Sequence, residues 1–123
     1  MNNSPILVII DDDSDLLDMY QEVLQIEGVQ TVSFTSGKEA LEFCQSGANV
    51  QAIISDAHMG EMSGMELLLK LKEHYQTLPV FYLLTGAFDI PEEEVKNSGG
   101  SGLILKPFDL DEILERIKKD IKL

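Results

Sequence analysis

The sequence of 123 residues has a single cysteine, no tryptophan, and only nine lysines and arginines against 22 aspartates and glutamates. A lone Cys44 closes no internal disulfide, so an apolar core must hold the fold together. The formal net charge of −13 opposes DNA phosphates, which are bound through Lys and Arg. No apolar run reaches the roughly 18 residues of a membrane span. The opening "MNNSPILVII" also lacks the basic start and small-residue cleavage site of a secretory signal. These absences predict a cytoplasmic location under reducing conditions, no direct nucleic-acid partner and no membrane insertion. With 44% apolar and 25% charged residues, the composition is that of a globular chain. Its length suits one core, and no repeat, low-complexity tract or linker interrupts it, so residues 1–123 are expected to form a single domain with no output domain.

What the chain does have is a regular alternation. Pro5–Ile10, Val29–Phe34, Ala52–Ser55, Pro79–Leu84 and Gly102–Leu105 are short apolar runs rich in β-branched or aromatic residues, and they predict five strands. Between them the period changes. Leu16, Leu17, Tyr20, Val23 and Leu24 form one helical stripe, and Leu110, Ile113, Leu114, Ile117 and Ile121 form another. Gly37–Cys44, Gly64–Tyr75 and Pro91–Asn97 supply three further helices, the last with proline at the first helical position and Gly99–Gly100 beyond its end. Near-continuous apolar strands joined by helices predict an α/β fold: a (βα)5 flavodoxin-like parallel sheet of order 2-1-3-4-5 with helices on both faces. Ligands of such sheets bind outside the carboxyl ends of the strands, at the switch point between the first and third.

At that rim the sequence places Asp11, Asp12 and Asp13 after the first strand, Asp56 after the third, Thr85 after the fourth and Lys106 after the fifth. Adjacent carboxylates about 4 Å apart repel by roughly 4 kcal/mol at an effective dielectric near 20. Asp13 stands where the first helix needs an N-cap. Asp11, Asp12 and Asp56 remain, and a hard divalent cation with oxygen ligands would relieve their repulsion. Mg2+ suits one or two carboxylates with waters and a phosphate.

The strings "VIIDDD", "ISDAHMGEMSG", "LLTGA" and "LILKPF", in this order and spacing, resemble the receiver domain of two-component response regulators over essentially the whole chain. The resemblance implies Mg2+-dependent phosphotransfer from a sensor histidine kinase or histidine phosphotransfer protein to Asp56, which switches a surface that binds a downstream protein target. It implies that Asp12, Asp56 and the backbone carbonyl of His58 hold the metal, that Asp11 acts through metal-bound water, and that Lys106 and Thr85 contact the phosphoryl oxygens. A cis Lys106–Pro107 bond is also usual in such domains. The protein is then a signalling protein, a monomer or weak dimer, and not an enzyme beyond assisting its own phosphorylation and dephosphorylation.

Two other readings compete. A haloacid-dehalogenase-type phosphatase also combines Asp, Thr, Lys and Mg2+, but its second aspartate is replaced here by His58. A degenerate receiver that only binds partners would not need Asp11, Asp12, Asp56, Thr85 and Lys106 intact. The chain departs from the receiver pattern at Gly60, where proline is usual, and at Leu103, where an aromatic switch residue is common. The expectation is that Thr85 pulls its own loop, "TGAFDIP", with Phe88 as the moving aromatic. Cys44 reads as core, Met65, Leu68 and Leu71 as a packed helix face, and "TSGKEA" as a helix start rather than a phosphate-binding loop.

Overall fold

The computed structural model describes residues 5–26, 28–86, 90–106 and 108–120. Strands and helices alternate: β1 (Ile6–Ile10), α1 (Ser14–Ile26), β2 (Gln30–Phe34), α2 (Gly37–Gln45), β3 (Val50–Asp56), α3 (Gly64–His74), β4 (Val80–Thr85), α4 (Glu92–Asn97), β5 (Gly102–Leu105) and α5 (Leu110–Asp120). All neighbouring strands pair in parallel, in the order β2-β1-β3-β4-β5. The expected doubly wound fold is the one observed.

Alternation along the strands divides the core in two. Val8, Ile10, Ile53, Phe81 and Leu83 pack against Ala40 and Cys44 of α2, Leu67, Leu68 and Leu71 of α3, and Val95 of α4. Leu7, Ile9, Ile54, Tyr82, Leu84 and Ile104 pack against Leu17, Tyr20 and Leu24 of α1 and Ile113, Leu114 and Ile117 of α5. With both faces covered, strands that are apolar at successive positions lose nothing to solvent.

The helix starts are written locally. Asp13 Oδ1 accepts from the N–H groups of Asp15 (3.1 Å) and Leu16 (3.2 Å), which makes Asp13 the cap of α1. Ser36 and Ser63 cap α2 and α3 by accepting from the N–H groups of Glu39 and Glu66, each three residues on. Proline opens α4 from one position earlier than expected. Pro91 has ψ of 140°, an extended conformation, so it stands at the cap and not in the first turn. The helix closes at Gly99, whose φ of +99° is a left-handed conformation that glycine reaches without strain. Pro107, Phe88 and Ile121 lie outside the described residues.

Gly64 is fixed by a close approach. A Cβ there would run into Leu83 Cδ1 and stand 2.5 Å from the backbone oxygen of Asp56, so the first turn of α3 sits directly under the end of β3. Gly64→Ala is expected to cost roughly 1–3 kcal/mol by overpacking. Urea unfolding would show this as a lower midpoint with unchanged slope, and an unchanged midpoint would contradict the close approach.

Candidate functional site

The site grows from strand register. Ile10 pairs with Ser55, so Asp11 and Asp56 stand level at the ends of β1 and β3. Asp56 pairs with Leu84 and Thr85 with Leu105, which brings Thr85 and Lys106 to the same rim. Backbone bonds tie these ends together: Asp11 N–H to Phe34 oxygen (3.2 Å), Ala57 N–H to Leu84 oxygen (2.8 Å) and Lys106 N–H to Thr85 oxygen (2.9 Å). Asp56 and Thr85 are thus the last residues of their strands, one step earlier than their placement in the following loops.

The ladder makes a charged cluster. Asp11, Asp12 and Asp56 each offer a carboxylate oxygen, and these oxygens lie within 4.8 Å of one another. Asp11 and Asp56 are buried and Asp12 is exposed, so the cluster opens to solvent on one side. Lys106 Nζ donates to Asp56 Oδ1 at 2.9 Å and stands 3.9 Å from Asp11 Oδ2. One ammonium faces three carboxylates, which leaves the site net negative. Thr85 is fully buried at the end of the neighbouring strand.

Asp11 carries the strain of this arrangement. Its Oδ1 accepts the N–H of Asp13 at 3.0 Å, whereas its Oδ2 is buried with no hydrogen-bond partner. Desolvation raises the carboxyl above its ordinary pKa, and the neighbouring Asp56 and Asp12 add to the rise; the bond from Asp13 and the Lys106 charge oppose it. A buried, unpartnered oxygen in an oxygen-only donor set, open to water at Asp12, fits a hard divalent cation.

Tyr20 is a part of the surroundings that the sequence reading placed only in a helix stripe. Its hydroxyl is pushed up to about 12, first by burial and then by the charges of Asp11, Asp56 and Asp13, so it lies electrically under the cluster. Its ring packs on Phe108 at 5.7 Å between centroids. Nothing in the apolar period marks this role, because a core tyrosine and one beneath a site share the same spacing. His58 is exposed beside Asp56. Gly60 is also exposed, with open space around it, so packing does not demand glycine there. A cleft of about 460 Å3 runs from Asp12 past Lys38, Met59, Gly60 and Met62.

The doubly wound sheet gathers carboxylates, a lysine and a buried threonine at its carboxyl rim, and comparison with known proteins places that arrangement in a family. The family described as the response regulator receiver domain matches residues 7–118. The heme response regulator HssR of Staphylococcus epidermidis is 38% identical over 90% of this chain, and the transcriptional regulatory protein YvrH of Bacillus subtilis is 32% identical over 99% of it. The chain spans about half the length of these curated relatives, 49% and 51% respectively. Among solved structures, the Francisella response regulator 1452 receiver domain superposes with a TM-score of 0.85 at 26% identity, covering 97% of this chain and 98% of that one. The chemotaxis protein CheY4 of Vibrio cholerae superposes at 0.80 with 27% identity, covering 94% and 98%. The chain belongs to the response regulator receiver domain family of two-component signalling.

The site's electrostatics give a test free of any phosphodonor. Asp11→Asn is expected to raise metal-free stability by about 1 kcal/mol, since it removes a buried charge that shares a single ammonium with two other carboxylates. Equal or lower chemical stability of the variant in chelator would contradict the charge assignment.

Proposed function

We propose that this domain accepts a phosphoryl group on Asp56 from a phosphohistidine of a sensor histidine kinase or a histidine phosphotransfer protein, and that the modified site changes a surface read by a downstream protein. One observation carries the reading. The Asp56 carboxylate ends β3 at the rim of the sheet, within reach of two further carboxylates and paired to the one lysine of the cluster at 2.9 Å.

In this reading a carboxylate oxygen of Asp56 attacks phosphorus as the bond from phosphorus to the donor imidazole breaks. The product is an acyl phosphate, and the imidazole leaves with the bonding electron pair and takes up a proton. Lys106 moves its ammonium from the Asp56 carboxylate to a phosphoryl oxygen, which needs only a short shift because the two share one locus. Thr85 donates its hydroxyl to another phosphoryl oxygen and draws the residues after β4 towards the site. Transfer of this kind asks the protein for positioning and charge compensation more than for covalent chemistry. Asp12, Asp56 and the backbone carbonyl of His58 would hold Mg2+, with Asp11 acting through bound water; the cation would supply positive charge for the transferring group. The cleft beside Asp12 opens the exposed edge of the carboxylate cluster to solvent.

The domain's own surface, at a net charge of −13, is set against DNA phosphates, so its direct partners in this reading are proteins. No helix of the described residues is long and apolar enough to cross a membrane.

Intact mass after incubation with a kinase or a small acyl phosphate and Mg2+ tests the assignment. The wild type should gain one hydroxylamine-labile phosphoryl group, and Asp56→Asn none, with its fold retained. Lys106→Met should fall by roughly 100-fold or more in transfer rate, as expected when a preorganised charge is taken from a developing anion. Labelling of Asp56→Asn at the wild-type level would sink the reading.

A further inference from the structure

Helix α4 has few attachments to the rest of the fold. It has six residues, its cap Pro91 gives no side-chain hydrogen bond, and Val95 is its one buried side chain. An isolated helix of that length has no stability of its own. Val95 holds it from the inside, where Gly100 comes so close that a Cβ would stand 2.7 Å from Val95 Cγ1. A second attachment holds it from the outside. The Glu92 carboxylate accepts the backbone N–H of Leu103 at 3.1 Å.

That bond is unusual in where it falls. β5 is an edge strand paired only with β4, so one side of its backbone faces away from the sheet and would ordinarily be left to water. Glu92 takes the place of that water and joins the first residue of α4 to the strand that carries Lys106. Gly102 lies close beneath this contact: a Cβ there would stand 3.1 Å from Glu92 Oε2 and 3.3 Å from Arg116 Nη2, so a larger residue would crowd both groups by a few tenths of an ångström. Arg116 in turn lies over the Tyr82 ring at 4.6 Å, and the Tyr82 hydroxyl donates to Asp120. Lys96, 3.8 Å from Glu92 Oε1, holds the other carboxylate oxygen within α4.

Glu92 lies seven positions after Thr85 in the chain and opens α4. We propose that Glu92 is a latch: it clasps α4 to the edge strand in the unmodified domain, and the pull of Thr85 towards a phosphoryl group on Asp56 draws it off Leu103. The proposal rests on the phosphoacceptor reading above. The latch engages a backbone amide, so it works whatever side chain stands at Leu103. A ligand shifts a two-state element only through contacts that differ between the states, and the Glu92 bond is such a contact.

Amide hydrogen exchange tests this without a kinase. In the unmodified domain the Leu103 amide should be protected, and Glu92→Ala should speed its exchange by about tenfold, the loss expected of one charge-assisted hydrogen bond at an exposed site. The amides of β1 and β3 serve as controls for the fold. Glu92→Gln, which keeps an acceptor oxygen, should fall between. Beryllofluoride with Mg2+, a mimic of the phosphorylated carboxylate, should bring wild-type Leu103 to the rate of the alanine variant. Unchanged Leu103 exchange in Glu92→Ala would overturn the latch. So would continued protection in wild type whose Asp56 surroundings have shifted with beryllofluoride, although the acceptor reading would then stand. No response to beryllofluoride anywhere would overturn both.

Discussion

Repulsion among three carboxylates at the end of a parallel sheet is the constraint from which the rest of this structure follows. Asp11, Asp12 and Asp56 share a space less than 5 Å across, with one ammonium among them. A fold that built this crowding for stability alone would be poorly made, because removing charge would improve it. The sheet holds the carboxylates in place through backbone register, and the two apolar layers beneath supply the binding energy that the rim gives up. A site destabilised in this way is poised to gain from positive charge, whether from Lys106 or a divalent cation.

Lys106 joins this rim to the opposite end of the sheet order. It follows β5, the edge strand, and reaches Asp56 at the end of β3 across the end of β4. If Glu92 acts as the proposed latch, a change in charge at Asp56 reaches β5 through Lys106 and α4 through Glu92. Thr85 gives a second route to α4 along the chain itself. The two routes converge on a six-residue helix with few attachments, which belongs to the low-stability end of a fold where conformational switches are found.

Much of this was legible in the sequence. The five apolar runs and the stripes between them pointed to the observed strand order, because a parallel sheet leaves few ways to bury both faces. Asp11, Asp12, Asp56, Thr85 and Lys106 could be gathered to one rim, since each follows or ends a strand. Asp13 was separable from its neighbours as a cap. Boundaries were less visible: β3 runs from Val50 to Asp56, longer than its apolar stretch, because ladder pairing continues into the polar Asp56. Pro91 satisfies the φ of either a cap or a first turn, and only its ψ separates them. Tyr20 under the cluster, Gly64 under Asp56 and Glu92 on the Leu103 amide depend on distances across the fold. A single sequence carries no trace of them. Leu103 drew notice for its missing ring, and its contribution here comes from its backbone.

The central claim is that the carboxylate crowding at Asp11, Asp12 and Asp56 is relieved by a divalent cation in the native fold alone. Thermal unfolding across a Mg2+ series measures it most directly, because a ligand that binds only the folded state stabilises it by RT ln(1 + [L]/Kd). The expected result is a midpoint that climbs steadily with Mg2+, equivalent to roughly 1 kcal/mol or more at tens of millimolar for a site of about millimolar affinity, and a smaller climb for Asp56→Asn. A midpoint that stays level across the series would contradict the account.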